Sequence, residues 1–241
     1  MKKNIFQYKH FSIDQTHAGM KVGTDSDLLG TLAHGGPRLL DIGTGTGIIA
    51  LMMAQRYAEA QITAIEIDND AVLDATTNFA ASPWEERITL IHDSFQHYLE
   101  EAQGKAVFDA VVCNPPYFDR SLECPDLRRL RARHSSSLPF EVLIEGAYSL
   151  LADGGTFSVC IPPEVLTDFL TIGANAGFSL LENNQVQALP NQPAKRYVLV
   201  FVKASGIETQ VHNFCMRNED RTYTEWYKKQ LGPFLTGKIY E

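Results

Sequence analysis

The chain has 241 residues, 44% of them hydrophobic, and a formal net charge of -8, so it can bury a substantial core but lacks the cationic excess of a protein that coats nucleic acid. Its four cysteines, Cys113, Cys124, Cys160 and Cys215, are far apart and form no CxxC or Cys/His pattern, which argues against a disulfide scaffold and against zinc. MKKNIFQYKHFSIDQ has no unbroken apolar run and no later segment reaches spanning length, so neither a signal peptide nor a membrane span is expected, and the cytoplasm is the expected location.

From Arg38 onward, short apolar runs alternate with amphipathic stretches, the pattern of a parallel sheet covered by helices. The predicted elements are strand Arg38 to Ile42, helix Ile48 to Tyr57, strand Gln61 to Ile67 and helix Asn69 to Ala81, which Pro83 ends. Strand Ile88 to His92, helix Phe95 to Gln103 and strand Phe108 to Cys113 follow, the last apolar enough for full burial. The stretch from Asn114 to about Ser137 is long for a connection and carries Arg120, Arg128, Arg129, Arg131 and Arg133 among Asp119, Glu123 and Asp126. On composition alone that cluster reads as a solvated loop, whereas its length suits a lid or binding loop. Helix Phe140 to Leu151, a turn at Gly154-Gly155, strand Thr156 to Ile161 and helix Val165 to Ala176 come next. Strands Phe178 to Gln187 and Arg196 to Lys203, with only a proline-containing loop between them, predict an antiparallel pair at the sheet's end. A strand near Thr209 to Arg217 and a short helix after Arg221 close the chain, and Tyr223, Trp226 and Tyr227 are expected to pack on the sheet.

In LLDIGTGTG the first strand ends at Asp41 and turns through Gly43, Gly45 and Gly47 into a helix, so that backbone can approach a ligand closely. A dinucleotide site would space its glycines G-x-G-x-x-G and admit pyrophosphate, which the leading acid would repel. S-adenosylmethionine has no phosphate, and its ammonium and sulfonium suit an acid at the loop. Glu66 ends the second strand, where a carboxylate can accept the ribose hydroxyls. Asp93, after the third strand, fits either an acceptor for the adenine amino group, with Phe95 or neighbouring backbone completing the pocket, or a plain helix cap. Asp68 reads more simply as a helix cap.

Asn114-Pro115-Pro116-Tyr117 follows the fourth strand, on the edge where open α/β sheets bind ligands. The prolines fix the backbone and remove donors, leaving the Asn114 side-chain oxygen and the Pro115 carbonyl to converge on an NH₂ group. Tyr117 offers a stacking face for a base taken out of its helix or loop. The bland alternative is a rigid turn with an ordinary aromatic core residue.

The glycine loop and strand-end acid resemble the class I methyltransferases. That resemblance, over roughly Arg38 to Lys203, implies a Rossmann-like α/β fold with a mostly parallel seven-stranded sheet, an antiparallel strand at one end and helices on both faces. It places Asp41, Gly43 and Gly45 around the methionine end and Glu66 at the ribose, with Thr44, Ile67, Asp93, Ser94 and Asn114 as further cofactor-site candidates and no metal. NPPY is shared by methyltransferases of adenine in DNA or RNA, of guanine N2 in RNA, and of the glutamine amide of release factors. Taken with FSIDQTHAGMKVGTDSDLLG and RARHSSSL, the chain resembles the bacterial tRNA1(Val) (adenine37-N6)-methyltransferases. This implies one domain over 1–241, with an N-terminal cofactor lid (about 1–36) and a C-terminal extension (about 205–241). Lys21, Thr24 and Asp25 become candidate cofactor contacts, although Asp25 fits a helix cap as well and Lys21 a surface position. Arg131, Arg133 and His134 become candidate contacts to the phosphates flanking a flipped base, with His134 a lesser candidate for general base. The implied reaction is direct methyl transfer to tRNA yielding S-adenosylhomocysteine, with tRNA as partner, no membrane and no stable protein partner. A non-catalytic RNA-binding module on the same fold is the alternative of a different class.

Overall fold

The computed structural model describes residues 4–102, 107–115, 138–235 and 237. Two layers of helices enclose an eight-stranded sheet. In chain order the central elements are β3 (Arg38–Ile42), α2 (Ile48–Arg56), β4 (Gln61–Glu66), α3 (Asn69–Ala80), β5 (Ile88–His92), α4 (Phe95–Ala102) and β6 (Phe108–Cys113). They are followed by α5 (Phe140–Leu150), β7 (Leu151–Ile161), α6 (Leu166–Ala176), β8 (Ser179–Gln187), β9 (Arg196–Val202), β10 (Gln210–Cys215) and α7 (Glu225–Leu231). Ahead of them lie a small hairpin, β1 (Ile5–Gln7) with β2 (Ser12–Asp14), and helix α1 (Thr24–Leu32).

The sheet order is β10-β8-β9-β7-β6-β3-β4-β5. The α/β architecture, the order of its elements and the reversed strand toward one end match the sequence expectation. Two details differ. Strand β9 is antiparallel to both neighbours, β7 and β8, and β10 then adds parallel to β8 as an eighth strand at the margin. Strand β7 starts at Leu151, with irregular pairing to β6 before Thr156, so the Gly154-Gly155 stretch lies inside the strand instead of preceding it.

The period-2 alternation of the strands splits the core into two layers. Leu39 of β3 and Ala110 and Val112 of β6 join α1, α2, α3 and α7 on one face. Leu40, Ile42, Val111 and Cys113 join α4, α5 and α6 on the other. Asp41, two positions after Leu39, therefore faces the α2 layer, and Ala50 of α2 donates its N–H to Asp41 Oδ2 at 3.2 Å.

The N-terminal hairpin packs into the first layer through Tyr8, Phe11 and Ile13. Tyr8 donates to buried Asp27 at 2.7 Å, and Lys9 N–H donates to Phe234 O at 2.7 Å while its ammonium bonds Gly232 O. The C-terminal aromatics pack as expected, with Phe214 stacked on Trp226 at 4.2 Å between ring centroids and Tyr227 buried beside α1.

Candidate functional site

Parallel pairing brings four strand ends onto one edge. Ile42 is in register with Cys113 and with Ile65, and Glu66 is in register with His92. The glycine turn, Glu66, Asp93 and Asn114 therefore leave neighbouring strands, each about 4.8 Å from the next, at the edge where open α/β sheets hold ligands.

The glycine turn uses left-handed backbone at Gly43 (φ 68°), Gly45 (φ 58°) and Gly47 (φ 82°), a region that costs other L-residues roughly 1–2 kcal/mol. A Cβ at Gly43 or Gly45 would meet no atom within 4 Å, whereas one at Gly47 would strike the Phe79 ring at 2.3 Å. Gly47 thus lets the loop close onto α3, while the first two glycines leave open space beside their backbone. Gly43 and Thr44 N–H groups donate to Ile65 O at 2.9 and 3.0 Å, which fastens the loop to the end of β4.

Asp41 is fully buried at the base of this turn. Its Oδ2 accepts Thr44 Oγ1 at 2.6 Å, and its Oδ1 finds no donor among the described residues. Burial pushes the Asp41 carboxyl up to about 7, against the hydrogen bonds from Thr44 and Ala50 that favour the anion. Glu66, 8% exposed, acts as a clasp. Its Oε2 accepts Gly45 N–H, and its Oε1 accepts Ile67 and Asp68 N–H, all three at 2.8 Å. A carboxylate has about four acceptor positions, so Glu66 keeps capacity for a ligand hydroxyl mainly on Oε2. Cys113 behind the turn is buried and its thiol is pushed well up by desolvation, then by Asp41 and Glu66.

At β5, Ser94 is the helix cap: its Oγ accepts His97 N–H at 3.1 Å and its carbonyl accepts Tyr98 N–H at 3.0 Å. The cap reading of Asp93 is thereby replaced. Asp93 Oδ1 accepts Ser94 N–H at 2.6 Å and Oδ2 pairs with His97, whose hydrogen bond holds the Asp93 carboxyl below the usual range. The Phe95 ring is buried among α5 residues, close against Gly146. Asp68 caps α3, accepting Ala71 N–H at 2.9 Å. Ile67 is half exposed beside Glu66, an apolar surface at the rim.

In the N-terminal segment, Lys21 bonds Gln15 O at 2.7 Å and Thr24 opens α1. Asp25 is not the cap, because Gly23 holds that position; its carboxylate instead accepts Arg196 Nε at 2.7 Å. Asn114 is partly exposed and Pro115 buried. Pro116, Tyr117, Arg131, Arg133 and His134 lie outside the described residues. Among the described residues no group of three or more His, Cys, Asp or Glu side chains has a metal-holding arrangement, and no helix is long and apolar enough to cross a membrane.

Residues 15–165 match the methyltransferase small domain family. A tRNA1(Val) (adenine(37)-N6)-methyltransferase from Bacteroides thetaiotaomicron is 39% identical over 238 residues, 95% of this chain and 96% of that protein. The protein of the same name from Tolumonas auensis is 39% identical over 227 residues, 93% of each. The chain belongs to this methyltransferase family. Among solved structures, a predicted O-methyltransferase from Agrobacterium tumefaciens superposes with a TM-score of 0.68 at 20% identity, over 87% of this chain and 96% of that one. The Thermus thermophilus 16S rRNA N2 G1207 methyltransferase, solved with AdoMet and guanosine, gives a TM-score of 0.54 at 19% identity, over 83% of this chain and 50% of that one. At such identities both matches speak for the fold alone, the class I methyltransferase fold.

Two polar residues of this methyltransferase escape a reading by motif. Asp74 and Asn78 are each only 2% exposed and lie four apart on the face of α3 that also buries Ala71, Ala75 and Phe79. Their signal in the sequence is a polar pair at helical spacing inside an otherwise apolar stripe.

Proposed function

We propose that the chain transfers a methyl group from S-adenosylmethionine to N6 of adenine 37 in tRNA1(Val). The observation that carries this reading is the likeness to relatives named for that reaction across almost the whole chain. The residues fit the cofactor: the open space beside Gly43 and Gly45 lets a ligand approach backbone, and the unmatched buried oxygen of Asp41 favours a cationic or N–H donor nearby. When bound, S-adenosylmethionine supplies an electrophilic methyl on a positively charged sulfur.

In this reading Asp41, Gly43, Thr44 and Gly45 surround the amino-acid end, Glu66 Oε2 accepts a ribose hydroxyl with Ile67 against the sugar, and Asp93 and Ser94 border the adenine. Lys21 and Thr24 belong to the segment covering the methionine end. The Asn114 side-chain oxygen and the Pro115 carbonyl accept the two N–H groups of the target amine, turning its lone pair toward the methyl. Pro116 keeps that backbone rigid, Tyr117 stacks on the base, and Arg131, Arg133 and His134 hold the flanking phosphates. The amine becomes acidic as it gains the methyl, so its proton leaves without a dedicated base, and positioning supplies most of the rate.

Incubation with labelled S-adenosylmethionine and separate tRNA and protein pools, followed by nucleoside mass spectrometry, tests the assignment. The expected product is N6-methyladenosine at position 37 of tRNA1(Val). Label in N2-methylguanosine, or label resistant to ribonuclease, overturns it.

Asp41 gives a pH signature. Its folded carboxyl lies near 7, above the ordinary 3.8, so its contribution to the stability of the free protein is present below about pH 4 and lost as pH rises to about 7. An ammonium bound nearby, directly or through a water, favours the anion, so binding below pH 7 expels a proton. Calorimetry should show the affinity for S-adenosylhomocysteine falling from pH 8 to 5.5, approaching tenfold per unit below about 7. A flat profile would remove Asp41 from the cofactor's charged end.

A further inference from the structure

The carboxamide of Asn78 joins two segments that are distant in sequence. Its Nδ2 donates to Thr46 O of the glycine loop at 2.9 Å and to Asp14 O at 2.8 Å, and its Oδ1 accepts Asp14 N–H at 2.7 Å. All three bonds come from a residue at least nine-tenths buried. One turn earlier on α3, Asp74 accepts the N–H groups of His17 and Ala18 at 3.0 and 2.8 Å on Oδ2, and pairs with His17 Nδ1 at 2.7 Å on Oδ1. The chain from Asp14 to Val22 is then closed on itself at Gln15, whose Oε1 accepts Val22 N–H at 2.8 Å and whose carbonyl accepts the Lys21 ammonium. This strap leads directly into α1.

We propose that Asn78 is a positioning residue for the cofactor, holding the 14–22 strap and the glycine loop in one fixed relation so that both meet S-adenosylmethionine together. Asp74 holds the strap alone and has no hydrogen bond to the loop among those described. The proposal rests on the cofactor assignment above. Its physical content is that a ligand contacting both segments binds weakly if either must be re-ordered during binding. A side chain that served only to stabilise α3 would change the melting temperature without loosening the strap or selectively weakening cofactor binding.

Lys21 makes the strap's release measurable, because it is the lone tryptic site between Lys9 and Arg38. In Asn78→Ala, cleavage after Lys21 should accelerate about tenfold under native conditions, and the Kd for S-adenosylhomocysteine should rise about tenfold, the effect of losing roughly one buried hydrogen bond. KM for S-adenosylmethionine should rise by more than kcat falls. Asp74→Ala should accelerate the same cleavage. If Asn78→Ala does not fold, Asn78→Ser replaces it, since a serine side chain is too short to span from Thr46 to Asp14. Wild-type cleavage and wild-type affinity in the folded Asn78 variant would overturn the proposal. A wild-type protein that bound no S-adenosylhomocysteine would instead overturn the cofactor assignment, whatever the cleavage rates.

Discussion

Asn114→Ala is expected to lower kcat for methyl transfer by about 10²- to 10³-fold, or roughly 2.7–4 kcal/mol of transition-state stabilisation, with the Kd for S-adenosylhomocysteine changed by less than about threefold. An exocyclic amine is planar because its lone pair is delocalised into the ring. It becomes nucleophilic only as the nitrogen pyramidalises and its N–H groups grow more acidic. Acceptors aimed at those N–H groups are therefore worth more in the transition state than in the bound substrate, and this difference accelerates the chemical step. Asn114 is suited to that task by its place. It is the first residue after β6, whose last residue, Cys113, is in register with Ile42, so it stands beside the start of the glycine turn. Single-turnover kinetics with saturating cofactor, compared with calorimetric binding, separate the two effects. Turnover of the variant at the parental rate would remove Asn114 from the chemistry.

Glu66→Ala should act first on binding and on stability. Its carboxylate gathers N–H groups from Gly45, Ile67 and Asp68, and hydrogen bonds to a charged group each contribute about 1.5–3 kcal/mol. Some of the released N–H groups will find water, so a net loss of about 3–5 kcal/mol is expected, which for a chain of this size lowers Tm by roughly 6–20 °C. The Kd for S-adenosylhomocysteine should rise by at least about a hundredfold, because a ribose contact and the preorganised loop are lost together. Glu66→Gln distinguishes the two roles. Its amide oxygen can serve one side of the clasp, but its NH₂ faces donors on the other, so it should recover less than half of the lost Tm. Differential scanning calorimetry beside isothermal titration makes both comparisons. An unchanged Tm in Glu66→Ala would show that the clasp does not hold the loop.

The central strands are legible because β3, β4 and β6 are short, largely buried apolar runs, β3 flanked by Pro37 and Gly43 and β6 followed by Asn114-Pro115, and their helices begin within a residue or two of the expected positions. The hairpin β1–β2 is not. Each strand has three residues, and Tyr8, Phe11 and Ile13 bury against helices instead of extending the sheet, so no strand-length alternation marks them. Strand β10 was foreseen as a strand but not as an eighth member of the sheet, since that depends on pairing with β8 across the β9 excursion. In the site, adjacent Asp93 and Ser94 are both good helix caps by type, and only the direction of their oxygens decides between them. Asp74 and Asn78 were hidden for another reason. A polar residue in an amphipathic helix is ordinarily read as facing water, and the strap that turns these two inward is 56 to 64 residues away in the chain.

The hairpin ahead of the strap meets α7 and the residues just after it. Tyr8, Asp27 and Tyr227 cluster beneath it, and Lys9 reaches the backbone of Gly232 and Phe234. During synthesis the hairpin emerges long before these partners, so it cannot complete its docking until α7 has left the ribosome. Until then the 14–22 strap can be held by Asp74 and Asn78 of α3 while the hairpin ahead of it is only partly secured. A helix translated late thereby completes the seating of a hairpin made some 200 residues earlier.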